Sequence, residues 1–283
     1  MTDWRFIKSA PLDAASNMAL DEALFHCAAS GDSQPVLRVY SWSAPAVSLG
    51  YNQRCERELD LERCRRLGVQ PVRRPTGGRT VYHSAELTYS VTGPGASSQL
   101  GCKITETSRL ICRAIRRSLA FLGVATDSAA DARKSGGHSS GLASPCFTSS
   151  SRYEITLGGK KLAGSAQRRL GEGRALLQQG SLLIKNEQAR LAELMPGTHS
   201  EQERARLAGT LSSRVVGLED LLHRPVAFDE VAEAFRQGFA GYFGCKMINC
   251  QPGESEIELA EKLKRERYGT LEWLLDKSGL AVA

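Results

Sequence analysis

Arg73-Arg-Pro-Thr-Gly-Gly-Arg-Thr-Val-Tyr-His83 is a basic, glycine-centred turn between strand-like runs at Gln70–Arg73 and 87–91. Glycine tolerates positive φ and lets a ligand approach the backbone closely. The turn therefore reads either as a plain hairpin connection or as a surface on which a substrate lies. It is not a Walker A loop, because the Gly-Lys-Ser/Thr ending is missing. His83 follows on the next strand, where a lone histidine is more often a structural hydrogen-bonder than a catalyst.

Upstream of the turn, Trp4–Lys8, Val36–Tyr40 and Ala46–Leu49 read as strands. A helix is predicted over 14–29, with Asp13 as N-cap and Met18, Ala19, Leu24 and Phe25 as apolar positions. A polar, Arg-rich helix over 56–67 stops at Gly68. Downstream, Ile111, Ile115, Leu119 and Leu122 recur at helical spacing across 104–122. A hairpin over 153–167 turns at Gly158-Gly159, and 174–184 is a further strand. Helices then dominate, over 186–194, 201–208, 218–222, 229–243 and a charged 255–275. No internal repeat is present. Strands mixed with helices early and helices late give an α+β core, read as one domain over 1–250 with a C-terminal helical extension over 251–283 packed on it.

The 283-residue chain is long enough to bury a substantial core, and 41% hydrophobic with 24% charged content is ordinary for a soluble protein. No run approaches the ~18–20 apolar residues of a membrane span, and the N-terminus lacks the apolar core of a secretory signal, so a cytoplasmic location is expected. The net charge of +6 gathers partly in Arg63, Arg65 and Arg66 and in Arg113, Arg116 and Arg117. These are solvated helix faces or a docking surface for an acidic protein partner. No nucleic-acid signature appears. The eight cysteines include no Cys-x-x-Cys pair, which argues against a disulfide framework or metal site and makes most of them buried small hydrophobes.

Cys146 is the exception, because Lys161 follows fifteen residues later. A thiolate is the reactive form of cysteine, and a nearby ammonium favours it. If the hairpin carries Lys161 back beside Cys146, the two form a nucleophile and its activator; otherwise they are an inert thiol and a surface lysine. Cys146 lies near the end of a Ser/Gly-rich loop over 126–151. Gly137-His-Ser-Ser-Gly141 matches a serine-hydrolase pattern but lacks the preceding apolar strand that such an elbow requires. Leu162-Ala-Gly-Ser-Ala166 carries small residues on a strand, leaving a groove for an alkyl chain or for close packing.

Together these motifs resemble the lipoate-protein ligase/octanoyltransferase family, related in fold to biotin protein ligases. The resemblance rests on Asn17-Met-Ala-Leu-Asp-Glu22, the glycine turn through Glu86-Leu-Thr-Tyr-Ser90, Gly159-Lys-Lys-Leu-Ala-Gly-Ser-Ala-Gln167 and Gln179-Gly-Ser-Leu-Leu-Ile184, with a weaker echo in Glu266-Arg-Tyr-Gly-Thr-Leu-Glu-Trp273. It implies a mixed, largely antiparallel sheet flanked by helices. Cys146-Phe147 followed after five residues by Tyr153-Glu154 resembles the cysteine-dependent branch.

That branch implies octanoyl transfer from octanoyl-acyl carrier protein to a lysine of a lipoyl domain, such as glycine cleavage H protein, without ATP, metal or other cofactor. The resemblance makes Cys146 the acyl-accepting nucleophile and Lys161 its partner at the acyl carbonyl. It assigns Arg73, Gly77, Gly78 and His83 to the wall of the acyl tunnel, and Gly164 and Ala166 to its floor. Gln179 stands where many relatives carry histidine. The rival readings are an ATP-dependent lipoate or octanoate ligase, an amidotransferase between lipoyl domains, and a non-catalytic binder of acyl carriers.

Overall fold

The computed structural model describes residues 3–29, 33–95, 99–126, 154–197 and 199–277. Its strands are β1 (Trp4–Lys8), β2 (Val36–Tyr40), β3 (Ala46–Leu49), β4 (Gln70–Arg73), β5 (Val81–His83), β6 (Glu86–Pro94), β7 (Ile155–Leu157), β8 (Lys160–Arg169), β9 (Ala175–Leu183) and β10 (Met247–Asn249). Its helices are α1 (Ala14–Cys27), α2 (Cys55–Glu58), α3 (Leu61–Arg66), α4 (Ile104–Phe121), α5 (Glu201–Arg214), α6 (Leu218–Leu222), α7 (Phe228–Phe243), α8 (Glu254–Leu263) and α9 (Leu271–Asp276). None of the described helices is long and apolar enough to cross a membrane.

The fold is α+β. A seven-stranded mixed sheet runs β10-β1-β2-β6-β9-β8-β7, and a second sheet runs β4-β3-β5. From β2 to β7 every neighbouring pair in the large sheet is antiparallel. One face is covered by α4 and α7, whose apolar stripes meet Leu87, Tyr89 and Val91 of β6. The two helices approach closely at Gly238, where an added Cβ would lie 2.1 Å from Ser118 Oγ.

The other face packs on α1. Asp13 caps this helix by accepting from the Ser16 N–H at 2.8 Å. From Asn17 to Phe25 every residue of α1 is buried, including Asn17, Asp21 and Glu22, so this helix is enclosed instead of amphipathic.

Several predicted elements take a different form. The helix expected over 56–67 is two, because Asp60 accepts from the Arg63 N–H and starts α3 afresh. The glycine turn does not join a simple hairpin: β4 and β5 flank β3, and the turn crosses its end. There an added Cβ on Gly50 would fall 2.0 Å from the Gly78 carbonyl oxygen. The short strand β10, absent from the sequence reading, pairs parallel with β1. The expected charged helix over 255–275 is α8, a π-helical turn at Lys264–Tyr268, and α9 capped by Thr270. By contrast, the hairpin at Gly158-Gly159 matches its pattern, with φ of 54° and 75° at the two glycines, as a type I′ turn requires.

Candidate active site

Between the two sheets lies a mainly apolar cavity enclosing about 470 Å³ of space free of atoms, part of it open to solvent. Met18, Tyr40, Trp42 and Val81 supply apolar wall. Alternation along β8 and β9 brings Gly164, Ala166, Gln179 and Ser181 to the same lining, with Gly164 paired to Ser181 and Ala166 to Gln179. Gly180 lets the Tyr89 ring lie across β9, since an added Cβ would come within 2.5 Å of it.

One end of the lining is polar. His83 Nδ1 lies 2.7 Å from Glu86 Oε1, and His83 Nε2 lies 2.7 Å from Ser48 Oγ. Arg74 Nη1 donates to that Ser48 oxygen at 2.9 Å, so the hydroxyl proton is available to His83 Nε2. The His83 Nδ1–H donates to Glu86. Trp42 stacks on the His83 ring with centroids 4.3 Å apart. Ser181 Oγ and Thr88 Oγ1 also donate to Glu86 Oε1, while buried Glu86 Oε2 has no hydrogen-bond partner among the described residues.

Gln179 joins three of the sequence motifs. Its Nε2 donates to Asp21 Oδ2 at 2.7 Å, and its Oε1 accepts from Thr76 Oγ1 at 2.8 Å. Asp21 in turn accepts from Arg38, Tyr40 and Ser90. Burial first, then the neighbouring Asp21 charge, pushes the Tyr40 phenol well above its ordinary range, so it stays a hydrogen-bond donor.

Lys161 is 4% exposed, and its Nζ donates to Glu154 Oε1 at 2.7 Å. Its side chain runs over Gly164, where an added Cβ would meet Lys161 Cε at 2.8 Å and Nζ at 3.1 Å. The ammonium is thereby held beside the cavity wall. Cys146, the expected nucleophile, and the Gly137–Gly141 motif lie outside the described residues, as does Tyr153.

The remaining expected residues divide. His83, Gly164 and Ala166 line the cavity. Gly78, with φ of 96°, sits at its edge, where an added Cβ would be 3.8 Å from that of Ala166. Gly77 contributes its carbonyl, which accepts from Arg74 at 2.8 Å, instead of lining the cavity.

Arg73 is turned away from the cavity. Its guanidinium donates to the carbonyls of Gly50, Tyr51, Gln53, Trp273, Leu274 and Leu275. The lining arginine is its neighbour Arg74. Successive residues of a strand point to opposite sides, so a basic pair divides between framework and cavity.

The sequence reading gave no individual role to Ser48, Trp42, Arg74 or Glu154. Arg74 and Glu154 stood within quoted motifs, whereas the only signal for Ser48 and Trp42 was composition, since polar groups inside apolar strands need buried partners. Among the described cysteines, Cys55 and Cys64 are fully buried, and burial pushes their thiols up to about 11 and about 12. Four others are half-buried and Cys102 is exposed, fewer enclosed thiols than expected. No group of three or more metal-ligating side chains converges among the described residues.

A motif-bearing helix packed over a mixed sheet, with an apolar cavity beside a buried lysine, defines a class of acyl-handling domain. A model of the lipoyl protein ligase A/B catalytic domain matches residues 13–240, and the chain belongs to that family.

Within the family, the chain is 38% identical to octanoyltransferase LipM of Carboxydothermus hydrogenoformans over 274 residues, covering 97% of this chain and 99% of that protein. It is likewise 38% identical to octanoyltransferase LipM of Kyrpidia tusciae, covering 96% and 98%. Among solved structures, a bipartite lipoate protein ligase of Thermoplasma acidophilum, studied with its E2 lipoyl domain, superposes with a TM-score of 0.81 at 25% identity, covering all of both chains. A lipoate-protein ligase A bound with ATP gives 0.77 at 26% identity, covering 98% of this chain and all of that one.

Proposed function

We propose that this protein transfers an octanoyl group from octanoyl-acyl carrier protein to a lysine of a lipoyl domain, such as glycine cleavage H protein, through a thioester on Cys146. The observation that carries the reading is the buried Lys161–Glu154 pair crossing Gly164 at the wall of an apolar cavity. Full-length similarity to octanoyltransferases supports the acyl group, and a structural relative studied with its lipoyl domain supports the class of acceptor.

In the first step the Cys146 thiolate attacks the donor thioester. A new carbon–Sγ bond forms, the carbon–sulfur bond to the carrier's arm breaks, and the arm leaves as a thiolate that takes up the proton Cys146 gave up. The Lys161 ammonium, held by Glu154, favours the thiolate and the developing oxyanion. In the second step the acceptor lysine's amine attacks the acyl-enzyme. An amide forms, the carbon–Sγ bond breaks, and the amine's proton goes to the departing thiolate. The octanoyl tail occupies the cavity between Trp42, Val81 and Ala166. Because the donor is already a thioester, neither step needs ATP, and ping-pong kinetics follow.

The superposition on an ATP-bound lipoate ligase keeps one rival in view, an enzyme that activates the free acid as an adenylate. Intact-mass spectrometry after mixing with octanoyl-acyl carrier protein, without ATP, separates the two. A gain of one octanoyl group, removed by hydroxylamine and absent from Cys146→Ser, is the expected result. No adduct here, with acyl transfer from octanoate only when ATP and Mg²⁺ are added, would overturn the transferase reading.

A further inference from the structure

We infer that the groove between α3, the 3₁₀ turn Gln188–Leu194 and α5 is the docking surface for an acidic, amphipathic helix of the protein that carries the acyl thioester. This inference rests on the transferase reading and adds to it the place where the donor binds.

The groove has an apolar floor and a basic rim. Ala189 and Ala192 lie three residues apart on the 3₁₀ turn, and Ala205 and Ala208 three apart on α5, so each pair shares one face of its element. Small side chains on two adjoining elements leave room for a third helix to settle between them. Four arginines stand around this floor against two glutamates. The exposed Arg66 guanidinium has no side-chain hydrogen bond or close ion pair among the described residues, its charge acting only on Glu62 of the same helix, and Arg190 is exposed, lying 5.7 Å over the Tyr82 ring. Arg204 donates from Nη2 to the Pro196 carbonyl, while its buried Nε has no acceptor among the described residues. The chemistry that satisfies such a rim is a row of carboxylates with an apolar stripe beside it.

Position separates this basic cluster from the one on α4. Arg117 is wedged against Gly241 of α7, on the far side of the large sheet from the cavity. The groove instead adjoins both ends of the cavity wall. Gln188 bonds the N–H and carbonyl of Tyr82, which lies between the lining residues Val81 and His83. The segment after α5 bridges to Lys161, with the Val216 N–H donating to the Lys161 carbonyl at 3.0 Å. From Ala208 to Val215 is seven residues, about 10 Å of helix. A carrier seated in the groove thus holds its thioester-bearing arm within a short span of Lys161.

The test compares two donors on the full-length enzyme, octanoyl-acyl carrier protein and the small thioester octanoyl-N-acetylcysteamine, by rate of acyl-enzyme formation. Arg66→Glu/Arg190→Glu is expected to lower kcat/KM for the carrier by about tenfold or more while leaving the small thioester within about twofold. Added salt should shrink the difference, and Arg66→Lys/Arg190→Lys should retain most of the carrier rate. Equal losses on both donors, or none on either, would overturn the assignment. So would a loss confined to the affinity for the acceptor lipoyl domain. Titration of the unacylated carrier by fluorescence anisotropy reads docking without turnover, and unchanged affinity in the charge-reversed variant also overturns it. If the wild type takes octanoyl from neither thioester while the titration still shows docking, the transferase reading fails and the docking surface stands.

Discussion

Two buried carboxylates show how differently one fold uses the same group. Glu22, on α1, is filled from every side: Arg168 donates to one oxygen at 3.1 Å, and Arg267 and Tyr268 each donate to the other at 2.7 Å. Burial alone would raise its pKa, but His26, whose Nε2 lies 3.6 Å away, and the Arg267 charge outweigh it and hold the carboxyl down to about 2. Glu86, between the sheets, collects His83, Thr88 and Ser181 on one oxygen and leaves the other unbonded. The first carboxylate ties the C-terminal segment to the core, and every bond it makes is to the frame. The second holds a histidine at a cavity wall, in a polar cluster with spare capacity. Both oxygens of the framework carboxylate are bonded, whereas the carboxylate beside ligand space keeps one oxygen unbonded among the described residues.

The cavity side should yield the largest effect. Lys161→Met is expected to lower acyl transfer by about 10²–10⁴-fold, and it also strands Glu154 in a buried site. Adding Glu154→Gln should restore the melting temperature without restoring turnover, and recovery of both would make Lys161 merely structural.

The frame side comes next. Glu22→Gln should cost about 3 kcal/mol in urea unfolding at neutral pH, with turnover per folded molecule retained. The sign with pH is fixed by the depressed pKa. The wild-type contribution is complete above the ordinary carboxyl value of 4.5 and is lost as pH falls toward about 2, whereas the variant should lack this acid dependence.

Gly164→Ala is expected to displace Lys161 and reduce turnover by roughly tenfold with little change in stability, measured as kcat beside a melting curve. The smallest effect belongs to Glu86→Gln, about 1–2 kcal/mol, because the unbonded oxygen loses no donor when it becomes an amide. A cost equal to that of Glu22→Gln would erase the contrast between the two sites.

Local chemistry explains what was readable in the chain. Asp13 as a cap, the paired positive φ at Gly158 and Gly159, and the Ile111–Ile115–Leu119 stripe of α4 are short-range signals that survive into the fold unchanged. The break at Asp60 and the π-helical turn before α9 are not of that kind. Asp60 donates its N–H to the Leu194 carbonyl, and Arg267 and Tyr268 reach Glu22 across some 245 residues of chain. No local pattern announces such partners.

The site divides in the same way. His83, Gly164, Ala166 and Lys161 stood out by residue type and motif order. Arg74 and Glu154 lay inside motifs without an assigned role, and Ser48 and Trp42 lay outside them, because each gains its role only from a distant neighbour.

By itself, then, the sequence determined the alternation of strands and helices, the glycine turns, the α+β class and the membership of motifs in one family. Those properties follow from backbone conformational preference and hydrophobic periodicity, which act over a few residues. Only the tertiary structure decided that Arg73 clamps the C-terminal helix while Arg74 lines the cavity, and that Gln179 links Asp21 to Thr76. Those assignments depend on which buried donors and acceptors meet across the sheets, a long-range condition that no single stretch of chain contains.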